Sequence, residues 1–285
     1  DKIKSLWMDS IWIIDEWDMY WAIEFYLQAK KNWIKSLIWI QIDVIQDLTK
    51  KEQDRNVQSL TLLSKNLDGY KWIINMASIA NTTWFWESPR IDMPLLEQNA
   101  KWNILILWWW KDIISKMISA WEDFSKIQEM LEFYINLFEK ENIIFEIIAQ
   151  DYSILPEFKT INDWFIKLAE NNQIKLIVWN NFRYINKDDK IAYEVLWRIK
   201  EWAIFGWREI IKWDYHILSE EEIIAILTKN WFQKDFIDTL INNNYEISQN
   251  IGFEIPLWKI YFPNYQSPSE ITELYEKHKN ELIWD

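Results

Sequence analysis

Carboxylates carry most of the chemistry that this chain offers. Asp15 and Glu16 close an apolar run, Ile11-Trp12-Ile13-Ile14, and Asp151 follows a second one, Ile143 to Ala149. Three carboxylates together suit a hard cation such as magnesium, which prefers oxygen ligands. Adjacent residues of a strand point to opposite faces, so Asp15 and Glu16 enter one site only where the strand bends. Other candidates read more simply. Glu220, Glu221 and Glu222 follow Ser219 and form a capping box with a favourable helix-dipole charge rather than a metal site. His216, in Asp214-Tyr215-His216-Ile217-Leu218, reads as a strand-edge residue, and His278 sits between Lys277 and Lys279 on a solvated helix. Ser88-Pro89-Arg90 suits either a partner-facing surface or a loop cap. The chain has no cysteine and only two histidines. Disulfides, thiolate zinc sites, cysteine nucleophiles and histidine-rich metal centres are thereby excluded.

Composition narrows the functional classes further. With 285 residues, half of them hydrophobic, the chain has ample material for a core. A formal net charge of -13 repels a polyanion and disfavours autonomous DNA binding. No apolar run approaches the roughly 18 residues that a bilayer requires, so a soluble cytoplasmic protein is expected and no membrane partner.

Glycine and tryptophan are inverted: there are 3 glycines and 23 tryptophans. Together they make up about 9% of the chain, close to the roughly 7% that glycine alone contributes to ordinary proteins. Trp33 after Ala29-Lys30-Lys31-Asn32, and Trp231 after Thr228-Lys229-Asn230, stand where a helix should end in a residue at positive φ. Trp17 falls where a strand should turn into a helix. A stacking surface would instead place aromatics on one face at a period of 2 or 3.6. Most tryptophans therefore mark glycine positions, as expected if UGA codons are translated as glycine, which certain bacterial lineages do.

The elements that must position these residues alternate. Lys2 to Met8 reads as the end of a helix and Ser10 to Ile14 as a strand. Met19 to Asn32 has helical spacing, and Ser36 to Val44 is a strand again, completing a βαβ unit. The rhythm continues with strands at Leu60 to Leu63, Asn103 to Leu107, Ile143 to Ala149 and Ile174 to Val178. Helices fall at Gly69 to Asn81, Asp112 to Lys140 and Glu157 to Asn171. Such alternation favours a parallel barrel or a doubly wound sheet, and no glycine-rich phosphate loop decides between them. Beyond Trp202 the rhythm gives way to a helix from Ser219 to about Asn230 and another over Gln233 to Asn243. Pro256, Pro263 and Pro268 mark an extended segment before a last helix from Ser269 to about Leu282.

The stretch Ile14-Asp15-Glu16-Trp17-Asp18-Met19-Tyr20-Trp21-Ala22-Ile23-Glu24-Phe25-Tyr26 resembles Thr-Asp-His-Gly-Asn-Met-Phe-Gly-Ala-Ile-Glu-Phe-Tyr. That motif belongs to the polymerase and histidinol phosphatase (PHP) domain of bacterial replicative DNA polymerase III alpha subunits. The likeness extends through Asn32 to Trp39, Leu62 to Tyr70, Ser88 to Asp92 and Tyr184 to Asp189. It ends at Trp258-Lys259-Ile260-Tyr261-Phe262-Pro263-Asn264-Tyr265, which is similar to the family's link into the polymerase core. Glycine restored at Trp17, Trp21, Trp33, Trp39 and Trp258 fits the family's pattern.

The resemblance implies an α/β fold, a distorted (β/α)7 barrel with a C-terminal helical appendage, whose first strand and His-x-His segment fall before residue 1. It implies a barrel over 1–201, the rest of the PHP region over 202–255 and a link toward the polymerase core over 256–285. The family's barrel can hold two or three metal ions that activate hydroxide against a phosphoester. Here Asp15 matches the family's aspartate, but Glu16 replaces its histidine, Gln41 its glutamate and Ser59 and Tyr152 further histidines. Asn181 and Arg183 replace the Asp and His of its last motif. At most a remnant of Asp15, Glu16 and Asp151 is expected to bind metal, and Glu16 with Arg183 is the expected structural pair replacing it. No catalytic residue and no cofactor are expected within these 285 residues; manganese or zinc would occupy an active PHP site, and magnesium the parent polymerase. The expected function is a scaffold and docking platform in a DNA-directed DNA polymerase, a nucleotidyltransferase. Its partners would be the polymerase core of the same chain, a proofreading exonuclease subunit, and primer-template DNA only through the full enzyme. The alternatives are a metal-dependent PHP phosphoesterase or 3′-5′ exonuclease, and a non-catalytic interaction domain.

Overall fold

The computed structural model describes residues 1–47, 57–83, 88–108, 112–200 and 214–257, with Glu273, Glu276 and Lys277. It forms two compact units, Asp1–Phe253 and Glu254–Asp285. The helix expected from Ser269, His278 and the link segment from Trp258 to Tyr265 lie wholly or mostly outside the described residues.

In chain order the first unit contains α1 (Lys2–Ser5), β1 (Ser10–Glu16), α2 (Ala22–Lys31), β2 (Lys35–Ile45), β3 (Gln58–Ser64), α3 (Leu67–Thr83), β4 (Arg90–Asp92), α4 (Met93–Glu97) and β5 (Asn103–Leu107). There follow α5 (Ile113–Ser119), α6 (Phe124–Phe138), β6 (Ile143–Ile148), α7 (Pro156–Asn172), β7 (Lys175–Trp179), α8 (Lys190–Lys200), α9 (Glu220–Lys229) and α10 (Lys234–Asn250). The sheet order is β1-β2-β3-β5-β6-β7, with β4 paired to β2, and it curls into a half-barrel. This is the α/β architecture that the resemblance implies.

Strand alternation divides the sheet into two faces. Ile40, Ile42 and Val44 of β2, Leu105 and Leu107 of β5, and Phe145 and Ile147 of β6 pack under the helices in one large core. The opposite, inner face holds Leu37, Trp39, Leu63, Ile104, Ile106, Ile144, Ile177 and Trp179. By the same alternation Gln41, Asp43, Ser59, Thr61 and Glu146 point inward.

Three features depart from the simple βαβ rhythm. β3 runs antiparallel to both β2 and β5, so the sheet is not all-parallel. β4 has only three residues, too few to show a period, and it forms because Asp43, Val44 and Ile45 offer their free edge to Arg90, Ile91 and Asp92. α10 continues past Asn243 to Asn250 because its asparagines bond to β7 instead of breaking the helix: Asn243 Nδ2 donates to the Leu176 carbonyl at 2.7 Å, and Asn244 accepts from Val178 N–H at 2.9 Å. Helix α8 is a further element that the strand-helix rhythm did not anticipate.

Gly69 is one of three glycines in the chain, and here geometry demands it. A β-carbon would lie 2.3 Å from the Trp102 carbonyl oxygen.

Candidate functional site at the barrel mouth

The parallel strands β1, β2, β5, β6 and β7 end on one side of the sheet, where antiparallel β3 begins. Expected site residues gather at this mouth, but they are arranged in separate groups. Register pairs Asp15 with Ile40 and Glu16 with Gln41. Asp15 therefore belongs to the helix-covered face and Glu16 to the inner one, as alternation requires. Asp15 Oδ2 accepts the Trp21 N–H at 3.4 Å near the start of α2, and Asp18 accepts the Tyr20 N–H at 3.2 Å. Burial raises the Asp15 pKa, partly offset by the Trp21 N–H and reinforced by the Asp18 charge. Glu16 is exposed.

Asp151 is drawn to a different partner, with Lys229 Nζ 2.5 Å from its Oδ2. The bond to Lys229, then that to the Ser153 hydroxyl, lower its pKa to about 2. Tyr152 faces inward to the protein: its hydroxyl accepts from Asn162 Nδ2 at 2.7 Å, and burial raises its pKa to about 12. Asn230, which ends α9, ties this segment down by donating to the Gln150 carbonyl at 2.7 Å and accepting the Tyr152 N–H at 3.2 Å. Arg183 is exposed in the segment after β7, its backbone N–H bonded to the Tyr215 carbonyl at 2.7 Å; Asn181 is half-buried. Among the described residues, no three or more His, Asp or Glu side chains stand close enough together to hold a metal ion.

What occupies the β2–β3 side of the mouth is a hydrogen-bonded network. The Ser59 hydroxyl bonds to Asp43 Oδ1, while the Trp17 indole N–H at 3.1 Å and the Ser88 hydroxyl at 3.0 Å bond to Oδ2. Arg90 NH2 reaches the Ser88 hydroxyl at 3.3 Å and its Nε the Ser88 carbonyl at 3.3 Å. Asp43, Ser59 and Arg90 are all buried. Ser88-Pro89-Arg90 thus folds back into the mouth, with the Arg90 guanidinium turned inward.

On the β5–β6 side two acids are fully buried. Asp112 caps α5, accepting the Ser115 N–H at 2.9 Å and hydroxyl at 2.7 Å, and the Trp108 N–H at 3.1 Å. Burial outweighs those bonds and raises its pKa to about 6. Among the described residues, neither Glu146 carboxyl oxygen has a hydrogen-bond partner. Burial, then the negative charge of Asp112, push its pKa well above the carboxylate range, which favours its protonated form. Trp12, Trp39, Trp108 and Trp179 fill the adjacent inner face, with Trp179 at 5.1, 4.9 and 6.0 Å from the other three rings. The indole N–H groups of Trp39 and Trp179 are buried with no acceptor among the described residues.

Of the residues read from sequence for other roles, Ser219 and Glu222 form the expected capping box, with Ser219 N–H 2.8 Å from Glu222 Oε2. His216 makes a one-residue bridge to Tyr184, its Nε2 3.5 Å from Glu222. Asp43, Asp112 and Glu146 were not singled out in sequence. A lone acid inside an apolar strand, as in Ile42-Asp43-Val44 or Phe145-Glu146-Ile147, is the signal that would have found two of them.

The family profile described as PHP domain matches residues 1–150. The chain is 25% identical to a DNA polymerase III subunit alpha of Borreliella burgdorferi over 283 residues, covering 96% of this chain and 24% of that protein. It is 25% identical to one from Thermus aquaticus over 277 residues, 91% of this chain and 21% of the relative. For a Treponema pallidum relative the figures are 26% over 283 residues, 96% and 23%. The chain thus spans about a quarter of the length of the curated relatives it matches.

Proposed function

Because this chain belongs to the PHP domain family, we propose that it is the PHP region of a replicative DNA polymerase III alpha subunit, acting as scaffold and docking platform while its own metal centre is degenerate. One observation carries the reading: the side chains at the mouth are committed to one another. Asp43 is engaged by Ser59 and Ser88, and Asp151 by Lys229 and Ser153. Amides and hydroxyls at Gln41, Ser59, Tyr152 and Asn181 are poor substitutes for imidazole or carboxylate ligands. The residues present therefore do not suit a metal cluster, and no reaction step is assigned to them. Asp15, Glu16 and Asp151 are at most a remnant, and Glu16 with Arg183 is the pair proposed to hold the mouth in its place.

The partner in this reading is the remainder of the same polypeptide, whose magnesium-dependent core performs nucleotidyl transfer. A proofreading exonuclease subunit is a further partner, DNA is met only through the full enzyme, and the setting is the cytoplasm. Among the described residues no helix is long and apolar enough to cross a membrane. The test is to read the source gene downstream of Asp285 and assay its full product. An open frame encoding a polymerase core supports the reading; a stop codon followed by phosphoesterase activity of the chain alone contradicts it.

We also propose that tryptophan stands at glycine positions, and that the individual positions are identifiable. Five of the seven non-glycine residues at positive φ among the described residues are tryptophans: Trp7, Trp17, Trp33, Trp121 and Trp231. Four follow helices α1, α2, α5 and α9 in the same double-bonded terminus. At α2, for example, Trp33 N–H bonds to the Lys30 carbonyl at 3.1 Å and Ile34 N–H to the Ala29 carbonyl at 2.9 Å. This is the Schellman arrangement, which favours glycine because it has no β-carbon to strain. These four side chains are 79 to 95% exposed, so their rings gain no packing in return. Peptide masses from the source organism should read glycine at Trp7, Trp33, Trp121 and Trp231; tryptophan at all four would overturn the assignment. In a recombinant comparison, glycine at the four sites should raise stability by roughly 1 kcal/mol each.

A further inference from the structure

The inner face of the sheet carries an apolar plug between polar walls. Trp108 follows the last residue of β5 and Trp179 ends β7, and their rings stack with centroids 6.0 Å apart. They therefore meet across β6, the strand between them. Glu146 is the inward residue of β6 at that level. The pairing of Leu107 with Phe145 puts Trp108 beside it, and Trp179 pairs with Ile148, the next inward residue. Trp39 closes the plug from β2, its ring 4.9 Å from that of Trp179. One inward step beyond Trp39 stands Gln41, paired in register with Thr61 of β3. Gln41, Thr61 and Glu146 are 1 to 2% exposed. Among the described residues Gln41 Nε2, Thr61 Oγ1 and both Glu146 carboxyl oxygens have no hydrogen-bond partner.

Rings and walls do not suit one another. A buried indole N–H ordinarily finds an acceptor, yet those of Trp39 and Trp179 find none among the described residues, while polar walls beside them also go unbonded. Native interiors pair such groups or hydrate them. The mismatch disappears when the rings are absent. This extends the glycine assignment from the helix termini to the inside of the barrel on a different observation: at the termini positive φ names the positions, and here unsatisfied polarity does.

We infer that, with glycine at Trp39, Trp108 and Trp179, the inner face opens as a chamber that binds a small organic amine, its ammonium at Glu146 and a neutral acceptor at Gln41 and Thr61. Charge selects the first end of the ligand. Asp43 has hydroxyl donors and Asp151 has Lys229, but Glu146 has no donor among the described residues, and its neighbour Asp112 adds a second acid rather than a base. Once the rings no longer cover it, its carboxylate calls for a cationic donor, and an ammonium offers three N–H groups. Hydrogen bonding selects the other end. Gln41 Nε2 and the Thr61 hydroxyl can both donate, which suits a carbonyl or hydroxyl oxygen. One positive charge and one neutral acceptor describe an amino amide or an amino alcohol; a phosphoester would be repelled by the same acids. The inference rests on the reading of tryptophan at glycine positions and involves no metal.

The test uses the full-length gene product carrying Trp39→Gly, Trp108→Gly and Trp179→Gly with glycine at the four helix-terminal sites, titrated calorimetrically near pH 7 with glycinamide. Glycinamide should bind at one site, and acetamide, which lacks the ammonium, should not. Glu146→Gln should weaken glycinamide binding by roughly tenfold or more, the loss of a charge-assisted hydrogen bond. The form that keeps tryptophan at the three inner positions should not bind it. Absence of binding to the glycine form, equal binding of the two amides, or binding unchanged by Glu146→Gln overturns the inference. If Glu146→Gln does not fold, the comparison of the two amides decides; if the recombinant glycine form does not fold, the protein purified from the source organism takes its place. Peptide masses separate this inference from the reading beneath it. Tryptophan at Trp39, Trp108 and Trp179 in the source protein overturns the chamber even where glycine stands at the four helix termini, whereas glycine at all seven positions without glycinamide binding overturns the chamber's ligand and leaves the glycine reading intact.

Discussion

The two sides of the barrel mouth solve the problem of buried polar groups in opposite ways. On the β2–β3 side Asp43 accepts hydrogen bonds from the Ser59 and Ser88 hydroxyls, and Arg90 closes the network through Ser88. On the β5–β6 side Glu146 is 1% exposed, has no hydrogen-bond partner among the described residues, and lies within reach of the Asp112 charge. The first side behaves as a stitched surface, the second as a place where ionisation is suppressed. A buried carboxylate is tolerated either by donors around it or by keeping its proton, and this mouth uses both.

The largest effect should come from the stitched side. Replacing Asp43→Ala strands the Ser59 and Ser88 hydroxyls and should lower unfolding free energy by about 3 kcal/mol, read from urea denaturation. A loss under about 1 kcal/mol would mean that the network does not hold the mouth.

The opposite side should respond in the opposite direction. Glu146 has a raised pKa in the folded state, so the folded protein holds a proton that the unfolded chain releases above its ordinary carboxylate pKa. Stability is full below that value and falls as pH rises toward the folded pKa. Glu146→Gln removes the fall. The variant should match the parent near pH 4 and exceed it in stability at pH 8. Asp112, raised to about 6, adds a like-signed decline between its unfolded pKa of 3.8 and about pH 6. If Glu146→Gln gains nothing at pH 8, the two sides do not differ in the way described.

The smallest effect is expected at Asp151. Its pKa is lowered to about 2, so the stabilisation is present above the unfolded value of 3.8 and is lost as pH falls toward 2. The pair with Lys229 is solvent-facing on the lysine side. Lys229→Met should cost less than about 1 kcal/mol at pH 7 and abolish only that acid-side slope. A larger loss at neutral pH would place Asp151 among the structural acids of the mouth.

Much of the fold was legible in the sequence because its strands are long, apolar and bounded by turns. Asn103 to Leu107 coincides with β5, and the capping box at Ser219 starts α9 as read. Reversal of β3 was not legible, since period 2 carries no direction. Nor was the length of α10, where Asn243 and Asn244 look like breakers until β7 gives their amides backbone partners. At the site, alternation correctly separated Asp15 from Glu16. It did not reveal that Lys229, 78 positions away, would engage Asp151, because ion pairs across the fold leave no periodic trace. The tryptophans at positive φ are the reverse case: composition raised the question, and backbone geometry names the positions.

The central claim, that the mouth is a structural scaffold without metal chemistry, is tested most directly on the purified full-length protein loaded with manganese. Bound metal would be quantified alongside digestion of 3′-labelled single-stranded DNA, for the parent and for Glu16→Ala, the carboxylate on the inner face. With the metal-binding carboxylates of the proposed polymerase core substituted as a control, the account predicts substoichiometric metal and no digestion above blank in either protein. Stoichiometric metal together with digestion that Glu16→Ala abolishes would contradict it and establish the mouth as a nuclease centre.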